Sequence, residues 1–171
     1  RFSALVVNFM YGVGSYTEEF IKGYKFTQSL VKLNTELVES NLSYGDQLQQ
    51  KFREELAKIE VPKEFHLPTD PRLVVDSFNI SKCKVMNSKK KPFWLVFKNA
   101  SPFVSTPVQM MFKVGDDLRQ DQLTLQVMKV MELLWRTNYR DMQMNCYGVL
   151  PTGYNQGFIE VVQNSITEAA L

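Results

Sequence analysis

The chain has 171 residues, 44% of them hydrophobic and 22% charged, with a formal charge of +2 at neutral pH. Such a length builds a core without metal or disulfide staples, the composition is that of a globular chain, and so small a net charge does not by itself imply a nucleic-acid partner. No apolar run approaches the roughly 20 residues needed to span a bilayer, so any membrane contact would be peripheral.

In chain order, Ser15 and Glu18 form a capping box, and Phe20, Tyr24, Leu30, Val31, Leu37 and Val38 recur at helical spacing, which predicts a helix or helical pair over 15–40. Leu48, Phe52, Leu56 and Ile59 make a second apolar stripe that ends at Pro62. Pro62, Pro68 and Pro71 predict an extended linker, the boundary between a helical part and a mixed part. Short strands are then expected over 72–79, 82–87, 92–98 and 107–113, an antiparallel meander. Pro102 and Pro107 bracket the last connection of that meander. A long helix over 118–135 would carry Leu123, Val127, Val130, Met131 and Leu134 on its apolar side. Two final strands, 142–150 and 158–162, would be joined by a loop over 151–157.

Hydrolase chemistry has little to stand on, because His66 is the only histidine and lies between Pro62 and Pro68. Cys83 and Cys146 are too far apart for a metal knuckle and read as buried small apolar residues in a reducing compartment. The chain opens on Arg1, and Ser165 with Glu168 spells a capping box just before Leu171. Both features lead us to expect an excised part of a longer protein.

The chemistry concentrates at the end of the fourth strand. Burying an unpaired ammonium is costly, so Lys113 needs an anionic partner unless it snorkels to solvent. Gly115 turns the chain after it, and Asp116 and Asp117 suit the N-terminus of the following helix. Asp121, one turn on, either faces Lys113 or is an exposed first-turn carboxylate, and Arg119 is expected in solvent. Asn87-Ser88-Lys89-Lys90-Lys91 is a basic hairpin tip, suited either to lying over a polyphosphate or to solvation alone. Neither Gly-x-Gly-x-x-Gly nor the P-loop pattern occurs, which argues against ordinary protein kinases and P-loop ATPases.

Four blocks, in order, resemble the phosphoinositide 3-kinases: Val85 to Leu95, Phe112 to Gln122 (Phe-Lys-Val-Gly-Asp-Asp-Leu-Arg-Gln-Asp-Gln), Cys146-Tyr147-Gly148 and Gly157 to Val162. The likeness covers about 72–171, and Val85 to Leu95 looks like the glycine-free phosphate loop of class I members, although Asn87 and the extra Lys89 depart from their usual loop. It implies an α+β fold, a kinase-like small lobe of about five antiparallel strands with one long packed helix, preceded by α-helices. Residues 1–40 would close a helical domain, 41–71 would be the first kinase-domain helix and a linker, and 72–171 the small lobe to the hinge.

By the same resemblance, Lys113 would contact ATP phosphates, with Ser88 and Lys90 in the loop above them. Asp121 and Tyr147 would form a hydrogen-bonded pair lining the inner pocket. The carbonyl of Glu160 and the amide of Val162 would read the adenine edge, enclosed by Met86, Trp94, Ile159 and Val161. The family's catalytic loop, Asp-Phe-Gly and activation loop lie beyond the hinge and are not in this sequence. The large lobe would thus be absent, together with the ligands for Mg2+, and the chain alone is expected to be inactive. The intact enzyme would move the ATP γ-phosphate to the 3-hydroxyl of a phosphoinositide as a cytoplasmic protein peripheral to membranes, with a regulatory subunit or small GTPase engaging other domains and no nucleic acid. The alternatives are a 4-kinase or related protein kinase with the same lobe plan, and a non-catalytic basic module that binds anionic lipid or nucleic acid through Lys82 to Lys91.

Overall fold

The computed structural model describes residues 1–67, 69–101, 103 and 106–166. Among these, four α-helices and seven strands follow the order α1 (Phe2–Gly12), α2 (Thr17–Glu39), α3 (Asp46–Leu56), β1 (Phe65–Leu67), β2 (Asp70–Phe78), β3 (Lys84–Val85), β4 (Phe93–Asn99), β5 (Val108–Val114), α4 (Arg119–Thr137), β6 (Val149–Gly153) and β7 (Gln156–Glu160). The fold class is α+β, as expected, but the sheet is larger than five strands. Its order is β1-β2-β4-β5-β7-β6, with β3 paired to β4. Every pairing is antiparallel. No described helix is long and apolar enough to cross a membrane.

The core lies where α2 and α3 cover one face of the sheet. Leu30, Leu33 and Leu37 of α2, Leu48, Phe52 and Leu56 of α3, and Phe93, Leu95, Phe97, Met110, Phe112 and Phe158 of the sheet are all buried in one cluster. Register explains the aromatic row within it. Phe93 sits opposite Phe112, and Phe112 opposite Phe158, so three rings share one face of three strands. Ring centroids lie 6.3 and 4.8 Å apart along the row, and Phe52 of α3 caps it 4.8 Å from Phe93.

Several expectations are corrected. The stripe of α2 has a different phase: Phe26, Leu30, Leu33 and Leu37 face the core, at intervals of four, three and four, while Phe20, Tyr24 and Val38 are exposed. The Ser15–Glu18 capping box does not form; a 3-10 turn at Gly14–Tyr16 precedes α2, whose N-cap is Tyr16 with no side-chain cap. The other capping box falls partly outside the described residues, as do Pro68 and Pro102. The linker is partly strand, since Phe65–Leu67 pairs with β2. Residues 142–148 are not strand, and most of the expected 151–157 loop is, leaving Tyr154 and Asn155 as the turn of a β6–β7 hairpin. Pro151 is tolerated because β6 is an edge strand. Gly157 is required there, because a Cβ would fall 2.3 Å from the Leu150 carbonyl oxygen. Finally, α4 packs toward β6 by burying Leu118 before its first turn and Leu125 within it, whereas Leu123, Val127, Val130, Met131 and Leu134 stay exposed.

Candidate functional site

Strand alternation puts Lys113, Met111 and Gln109 on the face of β5 opposite to Met110 and Phe112. Cross-strand partners extend that second face: Lys84 opposite Trp94, Trp94 opposite Met111, Met111 opposite Ile159, and Lys113 opposite Gly157. Trp94, Ile159 and Lys113 therefore share one surface, away from α2 and α3. The Lys84 ammonium lies 5.2 Å from the centre of the Trp94 ring, within reach of its π-face.

The chain after β3 doubles back sharply. The Met86 amide donates to the Pro92 carbonyl at 2.8 Å, and the Ser88 amide to the Met86 carbonyl at 2.9 Å. Ser88 is exposed and Met86 half-buried. Two contacts with α2 fix the base of this hairpin. The Asn34 amide, only 3% exposed, donates to the carbonyl of Lys91 at 2.9 Å and of Lys90 at 3.3 Å. The Lys91 ammonium donates to the Leu37 carbonyl in the last turn of α2 at 2.7 Å, where the helix dipole favours a cation.

Lys90 reaches the other way, over Gly115. Its ammonium donates to the Gly115 carbonyl and lies 2.5 Å from Asp116 Oδ1. Lys113 approaches the same carboxylate, its Nζ 3.7 Å from Oδ2. Two cations from separate elements thus share Asp116. The hydrogen bond from Lys90, with the charges of Lys90 and Lys113 behind it, holds the Asp116 carboxyl below the usual range against a smaller opposing effect of burial. The anionic partner that Lys113 requires is Asp116, three residues on across the Gly115 turn, and not Asp121.

Asp117 lies just before α4, whose N-cap is Leu118 with no side-chain cap. The Asp117 carboxylate accepts from the Arg119 amide at 3.2 Å and from the guanidinium at 2.8 and 2.7 Å, so Arg119 is exposed, as expected, and also paired. These hydrogen bonds lower the Asp117 pKa to about 2. Asp121 is exposed in the first turn of α4 and is not hydrogen-bonded to Tyr147. Tyr147 instead lines a hollow of about 160 Å³ with Gln122, Leu125 and Gly148. That pair is not assembled in this structure.

At the end of β7 the Glu160 carboxylate accepts from the Gly148 amide at 2.7 Å, tying the strand to the segment before β6. The Val161 amide donates to the Gln109 carbonyl at 3.4 Å. Among the described residues no group accepts from the Val162 amide. Sequence reasoning missed Asn34 and put Lys91 in the basic tip, whereas it anchors to α2; both contacts lie far off in the chain, 57 and 54 residues away. Asp116 was within its reach, since the Lys113-to-Asp116 spacing across a glycine is visible in the string.

A family model for "Phosphatidylinositol 3- and 4-kinase" matches residues 107–171. The chain is 37% identical over 169 residues to phosphatidylinositol 3-kinase 2 of Dictyostelium discoideum, covering 99% of this chain and 9% of that protein. It is 43% identical over 124 residues to phosphatidylinositol 3-kinase 3 of the same organism, covering 72% of this chain and 7% of that protein. It is also 38% identical over 159 residues to the rat phosphatidylinositol 3-kinase C2 domain-containing subunit gamma, covering 90% and 10%. The chain therefore spans about a tenth of the length of the curated relatives it matches.

Proposed function

Since this chain belongs to the phosphatidylinositol 3- and 4-kinase family, we propose that it is the ATP-binding small lobe of a phosphatidylinositol 3-kinase, with its preceding helices, and that the intact enzyme phosphorylates the 3-hydroxyl of inositol phospholipids at a membrane surface. The observation that carries the reading is the convergence of Lys90 and Lys113 on one carboxylate, at the end of the sheet face that bears Trp94 and Ile159. Two ammonium groups held together suit the neighbouring phosphates of a nucleotide. Catalysis in phosphoryl transfer is mostly positioning and charge neutralisation. Lys113 supplies charge from a strand, which is rigid, and Lys90 from a hairpin anchored to α2. Ser88 would offer its hydroxyl above the phosphates.

The hinge reads the base through its backbone. Among the described residues the Val162 amide has no acceptor, and the Glu160 side chain is engaged with Gly148, which would leave recognition of adenine to the main chain. Met86, Trp94, Ile159 and Val161 would enclose the ring. Asp121 and Tyr147 would line the inner end of the site. Magnesium, which neutralises phosphate charge in such transfers, would be held by residues C-terminal to the hinge. The apolar stripe from Leu123 to Leu134 supports the same view, because monomeric domains rarely leave so continuous a patch in water. In this reading the rest of the kinase domain covers it.

The rival reading, a basic module for anionic surfaces, needs the lysines of 82–91 turned outward. Three of them have internal partners: Lys84 lies over Trp94, Lys90 meets Asp116, and Lys91 meets Leu37. The test is Lys113→Met in the full-length enzyme, with lipid phosphorylation and ATP binding both measured. Turnover should fall by at least about a hundredfold, the order lost when one charge-stabilising donor is removed, with the circular dichroism spectrum unchanged. Undiminished turnover would overturn the proposal.

A further inference from the structure

Resting on that reading of the site, we propose that Asp116 is a positioning residue that holds Lys90 beside Lys113 before the nucleotide arrives. Three observations bear on it. The first is exposure: the side chains of Lys90 and Asp116 are 49% and 40% exposed, and pairs that open to water add little to folding. What the pair does is fix a location. The second is the path of Lys90. Its backbone carbonyl is held from α2 by the buried Asn34, and its ammonium is held by Asp116 and the Gly115 carbonyl, so both ends of a flexible side chain are pinned. The third is Gly115 itself. Its φ of +93° lies in the left-handed region, and a Cβ there would sit 3.1 Å from Lys90 Cδ, so the lysine stem crosses the space a side chain would occupy. The Gly115 amide donates to the Asn155 carbonyl at 2.6 Å, which ties the turn to the β6–β7 hairpin.

Donor accounting shows how phosphate could bind without displacing the carboxylate. An ammonium has three donors. Lys90 spends one on Gly115 and one on Asp116, leaving one. Lys113 stands too far from Asp116 for a hydrogen bond and keeps its donors for the ligand. Asp116 thus holds Lys90 beside Lys113 while leaving both able to bind phosphate oxygens, and the ordering of a long side chain is completed before binding rather than during it.

The experiment uses the full-length enzyme with ATP as varied substrate. Asp116→Asn should raise KM for ATP about three- to fivefold, the size of one exposed ion pair, with kcat nearly unchanged. Lys90→Ala should do the same, and the double variant Lys90→Ala/Asp116→Asn should be no worse than Lys90→Ala alone, because Asp116 acts through Lys90. Asp116→Glu should recover part of the loss. Losses that multiply in the double variant, or a KM that falls in Asp116→Asn, would overturn the inference. Lys113→Met run in parallel separates the two levels: normal turnover there sinks the ATP-site reading and this inference with it, whereas impaired turnover with multiplying losses sinks the inference alone.

Discussion

Cys83 and Cys146 carry the same thiol into different surroundings. Cys83 is fully buried; its sulfur accepts from the Val96 amide at 3.2 Å and lies 3.6 Å from the Val96 carbonyl. Burial pushes its pKa up, partly opposed by the contact with Val96. Only the thiolate reacts readily, so the folded chain should protect Cys83 twice over, by access and by protonation. Cys146 is half-buried in the irregular stretch before β6. Native-state alkylation with iodoacetamide, read by peptide mass spectrometry, should label Cys146 well before Cys83, and unfolding in urea should equalise them. Faster labelling of Cys83 in the native chain would contradict this packing. Residue type alone suggested burial for both, which holds only where the neighbours come from strands; nothing in the string marks 142–148 as lacking a ladder.

At the scale of elements, α3 completes the edge of the sheet. Strand β3 is two residues long and pairs only with β4. On its other side the Gln49 amide acts as a surrogate strand, donating to the Val85 carbonyl at 2.7 Å and accepting from the Val85 amide at 3.0 Å. One turn later Arg53 donates to the Cys83 carbonyl at 3.3 Å. Val85 is fully buried, so Gln49→Ala would strand two main-chain groups. The expected cost is about 1–3 kcal/mol, seen as a lower urea midpoint with an unchanged slope; a shift under about 0.3 kcal/mol would mean water replaces the amide. The stripe of Leu48, Phe52 and Leu56 made α3 legible, because its period matches its burial. The β6–β7 hairpin was not legible, since Pro151, Gly153 and Gly157 are turn residues by type and strand residues only through edge position and close approach. The α4 stripe was legible as periodicity but not as burial, because periodicity does not say which partner lies opposite.

Over the whole molecule, the sheet divides two tasks. One face is closed by α2 and α3 around phenylalanine side chains, and the other carries Trp94, Ile159 and Lys113, so core packing stabilises the platform without filling the proposed site. Electrostatics gather on that open side and at the surface turns. Asp70 is held below the usual carboxylate range chiefly by a hydrogen bond from Arg72, Asp116 by one from Lys90, and Asp117 by one from Arg119. Below the ordinary carboxylate pKa, near ~4, the folded chain therefore binds fewer protons at these groups than the unfolded chain. Their contribution is complete above that pH and is lost as pH falls through the folded values, with Asp117 last at about 2. All three pairs are solvent-accessible, so the total effect is small and screened by salt. Thermal unfolding followed by circular dichroism should give a midpoint that declines from about pH 4 to about pH 2, and less steeply in 1 M salt, where screening shortens the range of each pair to about 3 Å. Asp117→Asn should make that curve shallower across the whole interval from about pH 4 to about pH 2, because the Asp117 contribution starts to fall at the unfolded value and is gone below the folded one. A curve unaltered by Asp117→Asn would show that the Arg119 pair contributes nothing to the folded state.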